Sequence, residues 1–318
     1  MFSLSEPPLF TRLRSASSVL IAGAGGGFDV YAGLPLAPAL REQGKRVHLG
    51  NLAFSDLSPL DLGDWLAPGV AAVGPRSAGS NDYFPERTLA RWLAGSGLPS
   101  TVHAFSRTGA KPLRAAYEAL VEHLGVDAIV LVDGGTDILL RGDEAGIGTP
   151  EEDMTSLAAV ATLDGPDRLV VSLGFGIDAY HGVSHAHVLE NLAALDRAGA
   201  YLGALSIPSA SAEARAYLDA VAHAQVSTPL RPSIVNGQIA AALRGEFGNV
   251  SFTARTTGSE LFVNPLMGVY FTVDLLALAS TVGYLPRLAD TVSMTDVALV
   301  IEEHRDTVER RPRRPIPH

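Results

Sequence analysis

The stretch Ser18-Val19-Leu20-Ile21-Ala22-Gly23-Ala24-Gly25-Gly26-Gly27-Phe28-Asp29 decides how the chain is read. Val19 to Ala22 are short, apolar and partly β-branched, the pattern of a fully buried strand. Four glycines in five positions then follow. Glycine permits positive φ and lets a ligand come close to the backbone. Val30 to Leu40 are apolar enough for a helix, which Pro35 restarts or kinks. Strand, glycine turn and helix open a doubly wound α/β domain, and free N–H groups at such a helix start favour anions. Gly23, Gly25, Gly26 and Gly27 are therefore expected to floor a site for a small molecule bearing phosphate or carboxylate.

The turn departs from both familiar nucleotide motifs. A dinucleotide fingerprint needs a third glycine at the sixth position, which is Phe28 here. It also needs an acid at the end of the second strand. That strand, expected at Arg46 to Leu49, runs into Gly50-Asn51. The Lys-Ser/Thr pair of a phosphate loop is absent as well. Asp29 either caps the following helix or holds a metal that bridges to the anion.

Composition narrows the classes. A chain of 318 residues with net charge −10 is poorly suited to nucleic acid, whose binding rests on cationic contacts to phosphate. The absence of cysteine removes disulfides and thiolate nucleophiles. Residues 1–14 lack the apolar core of a signal peptide. No apolar run reaches the length of a membrane span, and Val269 to Val282, interrupted by Asp274, is read as a core helix. A cytoplasmic protein with a small-molecule ligand and no membrane or nucleic-acid partner is expected, and a homo-oligomer is compatible. The basic run Arg310 to Pro315 is proline-broken and reads as a frayed terminus.

Further along, residues 51–82 are rich in Gly, Pro, Ser and Asp and read as a long irregular connection. Strands are expected at Thr101–Phe105, Val126–Val132, Arg168–Leu173 and Ala200–Ile207, alternating with helices, among them Pro112–Leu124 and Ala212–Ala224. This alternation predicts a doubly wound, mostly parallel Rossmann-like α/β sheet. The division expected is an extension to residue 16, an α/β domain over 17–225, a C-terminal helical lobe packed on the same sheet over 226–303, and a basic tail from 304.

Val132 runs into Asp133-Gly134-Gly135-Thr136-Asp137. Two carboxylates four residues apart beyond a strand can share a hard cation such as magnesium or calcium, so Asp133 and Asp137 join Asp29 as metal candidates. Gly134, Gly135 and Thr136 keep the backbone open to a ligand. Thr149-Pro150-Glu151-Glu152-Asp153 reads instead as a capping box, with Thr149 at N-cap and Glu152 at N3. Three of the nine histidines lie within the segment Gly174 to His187. His181 or His185 is a candidate proton carrier, with Asp178 and Tyr180 beside them. In the C-terminal lobe, Arg255 and Asn264 either reach a ligand anion or serve the surface. The loops Gly23–Asp29, Asp133–Glu144 and Gly174–His187 are expected to meet on one sheet edge.

The glycine turn, the Asp133 to Glu144 segment, the Gly148-Thr-Pro-Glu-Glu-Asp153 segment and Asn264-Pro265-Leu266 together resemble an uncharacterised prokaryotic family, domain of unknown function 1152. The resemblance spans about Val19 to Asp296 and implies a common fold without supplying a reaction. Two function classes stand beside it. One is a hydrolase or lyase that uses a divalent cation on a phosphorylated or nucleotide-like small molecule. The other is a nucleotide-binding regulator without chemistry. An NAD(P)-type oxidoreductase is the alternative enzyme, weakened by the missing third glycine and ribose acid.

Overall fold

The computed structural model describes residues 5–251, 253 and 261–315. β1 (Ser18–Gly23) is buried at all six positions and lies at the centre of the main sheet. It pairs in parallel with β2 (Arg46–Leu52) on one side and with β6 (Ala128–Asp133) on the other. β5 (Val102–Phe105) extends the parallel centre beyond β2, and β7 (Asp167–Leu173) extends it beyond β6. The parallel order is thus β5-β2-β1-β6-β7, the doubly wound arrangement expected.

The strands alternate as period-2 geometry demands. Val19 and Ile21, Val130 and Val132, Leu169 and Val171 face one apolar layer. Leu20 and Ala22, Ile129 and Leu131, and Val170 face the other. The first layer is covered by α1 (Pro8–Arg12), α2 (Asp29–Ala32), α3 (Leu36–Glu42), α4 (Pro85–Gly95), α8 (Ala212–Ser227) and α9 (Ile234–Leu243). The second is covered by α5 (Ala110–Leu124), α6 (Pro150–Ala161), α7 (His185–Arg197), α10 (Leu275–Thr281), α11 (Leu285–Leu288) and α12 (Met294–Thr307). The helices after β1 and after β6 therefore leave on opposite faces. That divergence opens a crevice beyond the carboxyl ends of these two neighbouring strands.

Pro35 divides the first helical segment into α2 and α3, as its ring requires. Gly125 stops α5 in the left-handed region at φ 60°. Four expectations need correction. Residues 51–82 are not wholly irregular: β3 (Trp65–Ala67) and β4 (Val70–Val73) form an antiparallel edge on β5. The run Val269 to Val282 is not one helix. Its first half is β11 (Val269–Asp274), inserted antiparallel between β7 and β8 (Tyr201–Ser206). Asp274 then caps α10 by accepting the N–H of Ala277 at 2.9 Å, so the acid marks a boundary between strand and helix. Thr149 precedes α6 but makes no capping box. It donates to Asp137 instead, while Glu152 pairs with Arg107.

The basic tail is also not frayed through Pro315. Arg311 pairs with Asp143, Glu144 and Glu190, and the carbonyl of Arg314 accepts from Ser184 Oγ at 3.0 Å. A small second sheet joins β9 (Gly248–Asn249) to β10 (Phe262–Val263). Among the described residues no helix is long and apolar enough to cross a membrane.

Candidate functional site

The three expected loops do meet. A cleft of about 520 Å³ at the carboxyl end of β1 and β6 takes its walls from the glycine turn, the Asp133 loop and the Gly174 to His187 segment. It also takes residues from the start of α6, from the approach to α9 and from α9 itself, including Asp153, Arg231 and Gln238.

The glycine turn is pinned from both sides. Asn51, at the end of β2, donates through Nδ2 to the carbonyl of Gly27 at 2.8 Å and to Glu86 Oε1 at 2.7 Å. Its Oδ1 accepts the N–H of Val30 at 3.2 Å. Asn236, in α9, donates to the carbonyl of Phe28 at 3.1 Å and accepts from Tyr217 at 2.8 Å. Gly26 and Gly27 sit at φ 87° and 60°, where only glycine is unstrained. Gly23 and Gly25 serve another purpose. A Cβ on Gly23 would lie 2.3 Å from Asn51 Oδ1, so Gly23 serves close packing, and the cleft lining begins at Gly25.

At the floor stand three carboxylates from three elements. Asp29 begins α2, Asp133 ends β6 and Asp153 lies in the first turn of α6. One oxygen of each lies within 4.8 Å of the others. Two oxygens on opposite sides of one ion stand about 4–5 Å apart, twice the metal–oxygen distance of magnesium or calcium. Asp29 Oδ2 accepts the N–H of Gly25 at 2.7 Å, and Asp133 Oδ2 accepts that of Ile138 at 3.4 Å. Asp153 is 3% exposed, and its Oδ1 finds no hydrogen-bond partner among the described residues.

The electrostatics follow from that crowding. Burial, joined by repulsion from Asp137 and Glu152, pushes the Asp29 carboxyl up to about 8, against opposing backbone hydrogen bonds. Asp133 and Asp153 are driven well above the ordinary carboxylate value by burial and then by their acidic neighbours. Asp137 is raised to about 7 and Asp178 to about 6, again by burial first, with backbone N–H groups pulling the other way.

Asp137 lines the cleft, but its Oδ2 is engaged by the N–H of Thr149 at 2.9 Å. The third oxygen of the cluster thus comes from Asp153, which sequence reasoning assigned to a helix cap. Asp178 accepts the N–H of Thr136 at 2.6 Å and its Oγ1 at 3.1 Å, so it braces the Asp133 loop. A Cβ on Gly135 would meet Asp178 at 2.9 Å, and one on Gly134 would meet Asp29 at 3.1 Å. Both glycines let carboxylates approach the backbone. Tyr180 and His181 line the cleft.

His185 does not line it. Its ring packs edge-on against Phe175 at 5.2 Å, over a separate depression with Arg313. Asn264 is a turn residue, donating to the carbonyl of Phe175 at 3.1 Å and accepting from Leu266 at 2.9 Å. Arg255 lies outside the described residues. The arginine lining the cleft among the described residues is Arg231, which stands 5.8 Å over the Tyr83 ring.

Fold and cleft together define a doubly wound α/β protein with an acidic, ligand-sized crevice at its switch point. The sequence profile of the family described as "Protein of unknown function (DUF1152)" matches residues 64–309, and the chain belongs to that family. No curated protein matches it. The matched span begins after the glycine turn, so Asp133 and Asp153 fall inside it and Asp29 outside.

Proposed function

We propose that the cleft holds a divalent cation between Asp29, Asp133 and Asp153 and uses it on a small phosphorylated molecule, by hydrolysis or elimination. The observation that carries this is the buried, unpartnered Oδ1 of Asp153, facing two further carboxylates. Burying such a group without a partner is costly. A hard cation offsets that cost, and all-oxygen ligands suit magnesium, manganese or calcium. Such an ion, when bound, polarises a phosphoryl oxygen or activates water.

The remaining groups are suited to the ligand. Gly26 and Gly27 line the cleft beside the proposed cation, and Arg231 supplies a cationic fork. His181 at the cleft wall offers an imidazole for proton transfer. A dinucleotide is served less well, because Asn51 stands where the ribose acid would be and its amide is already committed to Gly27, Val30 and Glu86.

The test is calorimetric titration of the purified chain with Mg²⁺, Mn²⁺ and Ca²⁺, followed by a phosphate-release screen over phosphorylated small molecules. Binding lost in Asp153→Asn, together with cation-dependent phosphate release or elimination, supports the reading. Absence of binding by all three ions overturns it.

A further inference from the structure

Phe54 follows β2 and is 47% exposed, although it lines the cleft. It is not a stray surface residue. A Cβ on Gly26 would lie 2.5 Å from its ring, and one on Gly27 would lie 3.4 Å from it. The ring therefore rests directly on the glycine turn, at a contact that only glycine allows. The Arg107 guanidinium stands 5.6 Å from the Phe54 centroid and is itself held by Glu152 at 2.5 Å. Tyr83 borders the same turn, its hydroxyl 3.1 Å from where a Gly27 Cβ would be. Two aromatic rings thus flank the backbone proposed to receive phosphate.

Deeper in the same cleft lies Gln238, 1% exposed. It lines the cleft, and no hydrogen bond joins its side-chain amide to another of the described residues. A side-chain amide offers an acceptor oxygen and two N–H donors. From the cleft wall Gln238 can meet a ligand edge that carries both donor and acceptor. The cleft volume of about 520 Å³ falls within the range of small-molecule sites, well above what an ion and a phosphate fill.

We infer that the ligand of this cleft is a nucleoside phosphate, its base stacked on Phe54 and its polar edge read by Gln238. This rests on the reading of the cleft as a phosphate site. A base presents a π face to Phe54 and paired donors and acceptors to an amide, whereas a sugar phosphate or pyrophosphate offers no π face. Position along the turn accounts for the division of labour: phosphate meets the backbone of Gly26 and Gly27, and the ring beside it meets the base.

The experiment compares calorimetric affinities, at saturating Mg²⁺, for purine and pyrimidine nucleoside monophosphates and diphosphates with those for ribose 5-phosphate and inorganic pyrophosphate. At least one nucleotide is expected to bind about tenfold or more tightly than the ring-less anions, the worth of one stacked base. Phe54→Ala should remove that advantage while leaving ribose 5-phosphate, pyrophosphate and Mg²⁺ binding unchanged, and Phe54→Trp should keep it. Gln238→Leu should change the preference among bases. Equal affinity for nucleotides and ring-less phosphates overturns the inference while the phosphate-site reading stands. So does a Phe54→Ala variant that loses both alike, which marks a structural role. If Mg²⁺ binds but no phosphate compound does, the inference and the phosphate reading fall together.

Discussion

A Cβ placed on Gly25 would stand 2.7 Å from Oδ2 of Asp153, and as close as 2.6 Å to Oδ2 of Asp29. The glycine turn and the first turn of α6 are thus fitted to each other through two carboxylates. Gly25 does not sit in the left-handed region, so alanine there brings no backbone strain. Gly25→Ala should therefore push the carboxylates apart without unfolding the chain. In thermal melts, the rise in Tm caused by Mg²⁺ should disappear, while the metal-free Tm stays within about 4 °C of wild type. A Gly25→Ala protein that keeps the full magnesium shift would overturn the coupling.

Asp153→Asn tests the same centre without a change of size. Removing one charge of a repelling cluster should leave metal-free stability unchanged or slightly raised. In the wild type, Tm should climb with the logarithm of Mn²⁺ concentration through mass action. The variant should lose most of that slope. A loss of metal-free stability of several kcal/mol would instead mark Asp153 as an ordinary structural acid.

Glu86 provides a pH signature independent of the metal cluster. Burial pushes its carboxyl from 4.5 to about 7, against hydrogen bonds from Asn51 and Ser55. Between those values the folded protein keeps a proton that the unfolded chain has released. The group's contribution is thus fully present below about pH 4.5 and is lost as pH rises through 7. That difference corresponds to about 3 kcal/mol. Glu86→Gln should match the wild type near pH 4.5 and become progressively more stable than it towards pH 8, as read by denaturant melts. Parallel profiles across that range would show that Glu86 is ionised in the folded state throughout.

Arg311 should be worth more than its place near the C-terminus suggests. It reaches Glu144, whose side chain is fully buried, at 2.8 Å, and also Asp143 at 2.6 Å. Removing one partner of a buried pair leaves an uncompensated charge, so Arg311→Ala should cost about 3 kcal/mol. Arg311→Lys should recover part of it, since an ammonium keeps the charge but not the fork. A Tm within a degree of wild type for Arg311→Ala would show that the tail does not brace the fold.

The parts legible in the sequence are those where a single reading fits the residues. Val19 to Ala22 with the glycines after them have no credible alternative to a buried strand and turn, and Pro35 breaks a helix wherever it stands. Val269 to Val282 was ambiguous because an apolar run serves a buried strand as well as a helix, and Asp274 interrupts one while capping the other. β3 and β4 carry no sequence signal, because three- and four-residue edge strands among Gly and Pro show no period. Asp153 was hidden by a stronger local explanation, since acids after Thr-Pro suit a helix start. Only tertiary packing shows that it is turned inward, 3% exposed, against Asp29 and Asp133. Arg231 and Asn51 carry no local signal at all; their roles come from partners distant in sequence.

The insertion of β11 between β7 and β8 sets an order in time. Among the described residues β8 pairs with β11 alone, and β11 leaves the ribosome after it. Until residue 274 is synthesised, β7 presents a bare edge and β8 has no neighbour to pair with. A nascent chain stalled before that point carries an open strand edge of the kind that recruits other chains. Closure of the sheet is therefore a late, long-range event in biogenesis. During synthesis the unpaired edge of β7 is the place at which this architecture is open to misassembly.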